Sequence, residues 1–218
     1  MKTTIYSILF LLTISVSAQK KVLDHADFDI WNTIRSQSIS NNGKFIMYSL
    51  ERGEKDRFLK IKDEKANPIF NYDRVAGGQF TFDSKNALFT IKAWKDSITE
   101  MQRRKVKKDK MPNDTLAIFN LPSKNLTKIS DVKSYKVPEK WAGYVAYLLE
   151  EIKKPVSKDK TKKTDSKAKA KKVKKVSAKN GYHLVVRNLA TQQEDTLKYV
   201  TSYSFAKEGK SLAYVTTG

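Results

Sequence analysis

The chain has 218 residues, no cysteine, a formal net charge of +20 and 39% hydrophobic residues. The missing cysteine excludes disulfides, thiolate catalysis and zinc–thiolate sites. The length allows one or two domains of ~100–200 residues, and the hydrophobic share falls below the roughly 45–50% usual for globular chains, so part of the chain is expected to stay outside any core.

Lys2, the apolar run from Ile5 to Val16, and the small residues Ser17 and Ala18 before Gln19 have the layout of a secretory signal peptide. The run is about 12 residues, too short for the ~20 that span a bilayer. Without a cysteine after the cleavage position, a lipoprotein anchor is excluded. Residues 1–18 are therefore expected to be removed near Ala18/Gln19, leaving residues 19–218 periplasmic or secreted, with no membrane span. Asp24, His25, Asp27 and Asp29 precede Trp31, and turn or helix-cap use accounts for the acids.

Next comes a turn followed by an alternating strand, Ser38 to Leu50, with Asn42-Gly43 as hairpin signal. Phe58 to Ile69 reads differently, as strand, polar turn, strand. The first unit type returns at Gln79 to Ile91; Lys44 to Lys85 is 41 residues, close to the ~40–45 of a propeller blade. A basic insertion follows at about 100–113, with six Lys/Arg against Glu100 and Asp109. It has room for a helical turn or two. The second type recurs at Leu116 to Thr127, and a weaker first type at Tyr135 to Leu149.

Residues 151–181 hold thirteen lysines and three acids. Such a stretch cannot recover the entropy of ordering and is expected to be a disordered surface loop. The second type then returns at Leu184 to Thr196, and the first at Ser202 to Val215, around Glu208-Gly209. Leu59, Leu116 and Leu184 stand at intervals of 57 and 68 residues, so the units stretch together where the insertions fall. Paired, the two types make four-stranded up-and-down sheets. The expectation is an all-β, partial β-propeller of about three to four blades, an incomplete ring, and thus a piece of something longer. A β-sandwich also suits short strands with turn signals every ~8–12 residues; the recurring units favour the propeller.

Chemistry is sparse. His183, after the lysine-rich stretch, is read like His25 as a surface or packing residue. The eight glycines frame no serine as G-x-S-x-G, and no phosphate loop, H-E-x-x-H or EF-hand string occurs. Asp83 and Asp131 are read as turn residues. No catalytic, cofactor-binding or metal-ligating residue is assigned, and no cofactor is expected. The basic stretches lack the interleaved aromatics that bind single-stranded nucleic acid, so no specific nucleic acid partner is expected. Non-specific polyanion binding through Lys153 to Lys179 stays open.

Asp27-Phe28-Asp29-Ile30-Trp31, then Ile39 to Tyr48, resembles the opening of exported bacterial members of the prolyl oligopeptidase family. Lys110 to Ile118 resembles the strand after the basic insertion in those proteins, and the lysine-rich stretch before His183 fits their order; the resemblance spans roughly Asp24 to Thr216. It implies an N-terminal, substrate-gating propeller for a serine peptidase acting on short peptides. The α/β-hydrolase domain with its Ser, Asp and His would lie outside this chain, in cis or in trans. No residue here matches that catalytic motif, so none is carried over, and the chain alone is expected to be inactive. The alternatives are a non-catalytic exported propeller that binds a partner and a polyanion-binding surface protein.

Overall fold

A computed structural model describes residues 22, 24, 27, 31–53, 55–150, 176–177 and 179–217. The expected signal peptide, His25, Asp29 and most of the lysine-rich stretch lie outside these residues.

Alternation of apolar and polar residues puts strands where the two unit types were read. β1 (Asn32–Ile39), β2 (Phe45–Arg52), β3 (Phe58–Asp63) and β4 (Pro68–Asp73) form one antiparallel sheet in sequence order. β5 (Val75–Phe80), β6 (Asn86–Ile91), β7 (Asp114–Asn120), β8 (Leu126–Lys136), β9 (Tyr144–Leu149), β10 (Tyr182–Asn188), β11 (Glu194–Phe205) and β12 (Leu212–Thr216) form a second sheet, also in sequence order. Within each sheet every strand pairs with its chain neighbours, so the crossovers of a Greek-key sandwich are absent among the described residues.

The eight-stranded sheet consists of blades joined through shared strands. The first half of β8 pairs with β7 as far as Val132, and its second half, from Val132 to Lys136, pairs with β9. β11 repeats this, pairing with β10 up to Val200 and with β12 from Val200 to Phe205. Each long strand is thus the outermost strand of one blade and the innermost of the next. At the change of blade the backbone turns left-handed, at Asp131 (φ 60°) and Tyr199 (φ 60°). Arg74 (φ 57°) does the same between β4 and β5. These three residues stand 57 and 68 residues apart, the intervals of the leucines. Their carbonyls accept equivalent amides from just beyond the second strand of the following blade: Lys92 to Arg74 at 2.8 Å, Glu150 to Asp131 at 2.7 Å, Thr217 to Tyr199 at 3.1 Å. Asp131 therefore lies at a bend within a strand, which corrects its reading as a turn residue; Asp83 does lie in a turn, between β5 and β6.

The turns are built from side chains that stand in for backbone. Between first and second strands, Ser40 Oγ accepts the Phe45 amide and Thr81 Oγ1 the Asn86 amide, both at 3.0 Å. Between third and fourth strands, Asp63, Asn120 and Asn188 accept amides of their own turns: Asn67 at 2.7 Å, Ser123 at 2.9 Å and Ala190 at 2.9 Å. Gly43 (φ 72°) and Gly209 (φ 85°) take the conformation expected of the Asn-Gly and Glu-Gly signals.

Three apolar layers lie between successive blades. Met47, Leu59, Ile61, Phe89 and Phe119 fill the first, with Phe70 stacked on Phe119 at a centroid distance of 4.0 Å. Leu88, Leu116, Val145, Tyr147 and Val185 fill the second; Ala146, Leu148, Leu184, Val200 and Tyr203 fill the third. The described residues thus form an open array of three four-stranded blades followed by two strands of a fourth, an incomplete propeller.

Both insertions join the second and third strands of their blades. The shorter holds α1 (Lys95–Arg103) and a 3-10 turn at Lys108–Lys110. The helix starts ahead of the expected basic run because Asp96 favours its first turn and Arg103 its last, complementing the dipole, while Arg104 and Arg103 pair with Glu100.

Candidate functional site

The register lines up one position across the innermost strands. Ser38, Gln79, Lys136 and Ser204 pair respectively with Met47, Leu88, Ala146 and Ala213. The last three innermost-strand residues, Gln79, Lys136 and Ser204, border a cleft of about 420 Å³ with Tyr135, Glu139 and Phe205. The cleft lies at the ends of the innermost strands, on the side of the first-to-second-strand turns.

Its walls are held by contacts between blades. Lys136 Nζ donates to the Tyr203 carbonyl at 2.8 Å and lies 5.1 Å from the Tyr203 ring centroid. Trp141 Nε1 donates to the Ala206 carbonyl at 3.0 Å, its ring edge-on to Phe205 at 5.3 Å. Lys140 and Glu208 pair at 2.8 Å across the same gap. Tyr135 Oη donates to the Leu88 carbonyl at 3.2 Å, and burial pushes its phenol well above the ordinary tyrosine range. Tyr135 is therefore a neutral wall. The charged groups at the rim are Lys136, Glu139 and Lys207. The cleft can hold an extended polar backbone and pair with charge of either sign.

A second cleft of about 280 Å³ lies at the opposite ends of the strands, between the first two blades. Glu51 and Arg57 sit in its wall; Arg57 hydrogen-bonds Glu51 Oε1 through Nε at 3.0 Å and Nη2 at 2.9 Å, and that bond chiefly holds the Glu51 carboxyl below its usual range.

His183 is the second residue of β10, opposite Leu149 of β9, its ring 5.9 Å from that of Tyr199. Its Nδ1 is buried without a hydrogen-bond partner. Asp24 and Asp27 form a turn: the Asp24 amide donates to Asp27 Oδ2 at 2.9 Å, and the Asp27 amide to the Asp24 carbonyl at 2.9 Å. Among the described residues no group of three or more His, Cys, Asp or Glu is placed to hold a metal ion, and no helix is long and apolar enough to cross a membrane. Sequence reading missed both clefts. The aligned Gln79, Lys136 and Ser204 share a repeat position, but a glutamine, a lysine and a serine carry no common signature.

Strand order and the shared strands define the class: an open, all-β array of propeller blades. No family model and no curated protein matches the chain. Among solved structures it is similar to the β-propeller domain of the Trilobed protease from Pyrococcus furiosus, at 10% identity and a TM-score of 0.45, over 80% of this chain and 46% of that one. It is also similar to Pyrococcus horikoshii acylaminoacyl peptidase, at 10% identity and a TM-score of 0.48 for the uncomplexed form, over 88% of this chain and 29% of that one. An orthorhombic form of the same peptidase gives a TM-score of 0.44 at 10% identity, over 81% of this chain and 26% of that one. The chain spans less than half the length of each.

Proposed function

We propose that this chain is the propeller portion of an exported serine peptidase resembling the prolyl oligopeptidase family, in which it restricts access so that short peptides reach a hydrolase domain supplied in cis or in trans. One observation carries this reading: three successive innermost strands bring Gln79, Lys136 and Ser204 to one cleft of about 420 Å³. That volume falls within the roughly 300–1,000 Å³ of small-ligand sites, too small for a folded protein and large enough for a few residues of extended chain. The sequence resemblance from Asp24 to Thr216 supports the peptidase assignment. In this reading Lys136 and Glu139 engage the ends or charged side chains of a passing peptide, while Tyr135 and Phe205 pack on its apolar groups.

The test has two arms. Isotope-labelled full-length chain titrated with a short peptide should show saturable shifts at Gln79, Lys136 and Ser204, weakened by Lys136→Ala; shifts confined to other blades would remove the gating reading. Incubation with a fluorophosphonate should leave the 218-residue chain unlabelled, and a labelled serine would show catalysis within it. Export belongs to the same proposal: N-terminal sequencing of the protein recovered outside the cytoplasm should begin at Gln19.

A further inference from the structure

The second cleft holds positive charge that the fold does not use. Its floor is apolar, with Val75, Ala76, Ala93 and Ile98, and its rim is charged. Most of the rim is neutralised in place. Both oxygens of Glu51 are taken, one by Arg57 and the other by Arg35 at 3.2 Å. Lys92 is paired with Asp114. Asp56 receives the Lys95 amide at the start of α1, at 3.2 Å.

Arg74 is different. Its guanidinium carbon lies 4.4 Å from the centroid of the Trp94 ring, which holds the planar group in place from one side. Its only acceptor among the described residues is the carboxylate of its own neighbour, Asp73, reached by Nε at 3.4 Å. Both terminal nitrogens are left without an acceptor there, although the side chain is only 22% exposed. The Lys95 ammonium, on the same rim, has no acidic partner among the described residues. A half-buried guanidinium with its outer fork open is the geometry that takes a carboxylate through two parallel hydrogen bonds.

The equivalent positions show that the repeat does not require this arrangement. Asp131 and Tyr199 occupy the place of Arg74 at the next two junctions. The Asp131 side chain is satisfied locally, accepting from Asn113 Nδ2 at 2.8 Å. The guanidinium is thus particular to the first junction.

We infer that the cleft between the first two blades binds a small amphipathic carboxylate, its anionic end on Arg74 and Lys95 and its apolar body on Val75, Ala76, Ala93 and Ile98. A cavity of about 280 Å³ suits a small ligand, below the usual range for drug-sized ones. Two sources share this chemistry, a free branched acid and the C-terminus of a peptide with an apolar last residue. The site lies on the face opposite the axial cleft and does not depend on the peptidase reading.

The test titrates the full-length chain with 4-methylpentanoate, its amide and sodium sulfate, following the Trp94 indole N–H resonance, assigned by its loss in Trp94→Phe. Saturable shifts with the acid, and none with the amide or sulfate, are expected. Equal shifts with the amide would overturn the role of the charge, and with it the proposal; equal shifts with sulfate would do the same for the apolar floor. Arg74→Gly keeps the left-handed backbone conformation and removes the guanidinium. It should weaken binding at least about tenfold, as expected for losing charge-assisted hydrogen bonds, with circular dichroism unchanged. Undiminished binding in that folded variant would overturn the assignment. A parallel titration with Gly-Gly-Leu separates the sources: tighter binding than the acid assigns a peptide terminus, weaker binding a free acid, and no response to either ligand overturns the site.

Discussion

Gly78, Tyr135 and Tyr203 occupy one position of the repeat, directly before the innermost residues that border the axial cleft. Each meets the second strand of the preceding blade, and the partners there are Met47, Leu88 and Ala146. A Cβ on Gly78 would lie 3.0 Å from Met47 Sδ and 3.1 Å from its Cε, whereas Tyr135 and Tyr203 donate to the carbonyls of Leu88 (3.2 Å) and Ala146 (3.3 Å). Gly78→Val should therefore cost about 1–3 kcal/mol by overpacking, read as a lowered denaturation midpoint, and the added substitution Met47→Ala should relieve the clash. The tyrosines also make stability depend on alkaline pH. Burial pushes Tyr203 up to about 12, from an ordinary value near 10. Its folded value is raised, so its contribution is fully present below pH ~10 and is lost as pH climbs toward about 12. Phenolate absorbance should show late-titrating tyrosines in the folded chain, and unfolding should begin within that window; in Tyr203→Phe the loss should be smaller.

At the scale of elements, the decisive features are β8 and β11, each shared by two blades. A strand can serve two sheets only if it turns sharply, and here a non-glycine residue turns left-handed at the bend. Asp131 suits this, since Asp visits that region more readily than most residues. Tyr199 is bulkier and is held by close approach: a Cβ on Gly181 would come within 2.4 Å of the Tyr199 backbone carbonyl. Gly181 itself has φ 86°, so both space and backbone conformation demand glycine. Gly181→Ala should destabilise by upwards of about 2 kcal/mol, and hydrogen exchange should show the loss concentrated in β10, β11 and β12. Uniform loss across all blades would contradict this local reading. At Asp131, glycine relieves the torsion but loses the hydrogen bond from Asn113, so the two should offset to within about 1 kcal/mol, while valine should cost about 1–3 kcal/mol.

For the whole molecule, stability rests on layers between blades, as in other quasi-one-dimensional repeats. Phe119 sits in the first layer, stacked on Phe70 and within the cluster around Phe89. Phe119→Ala should cost about 3–5 kcal/mol, with faster amide exchange in β1 to β7 and a smaller effect at β12. The ends of the array differ from its middle. Tyr214 holds the register position of the buried Tyr147, yet it is 47% exposed, as Val215 is at 58%. These side chains have on one side only the neighbours that their equivalents have on both.

The recurring units, the positions of their turns, the placement of both insertions between second and third strands, and the open blade array were all legible in the sequence. Each follows from local rules: strand alternation, hairpin glycines, and the intervals of 57 and 68 residues that separate Leu59, Leu116 and Leu184 where the insertions fall. The start of α1 lies ahead of the basic run because Asp96, not the cluster of lysines and arginines, favours the first turn. The shared strands, the left-handed bends and both clefts were decided only in three dimensions. Arg74, Asp131 and Tyr199 have no side-chain chemistry in common, so no pattern of residue types marks them. What they share is a backbone torsion imposed when one strand passes from one sheet to the next. The same holds for Gln79, Lys136 and Ser204, which meet because stacking the blades brings residues distant in sequence to one axis.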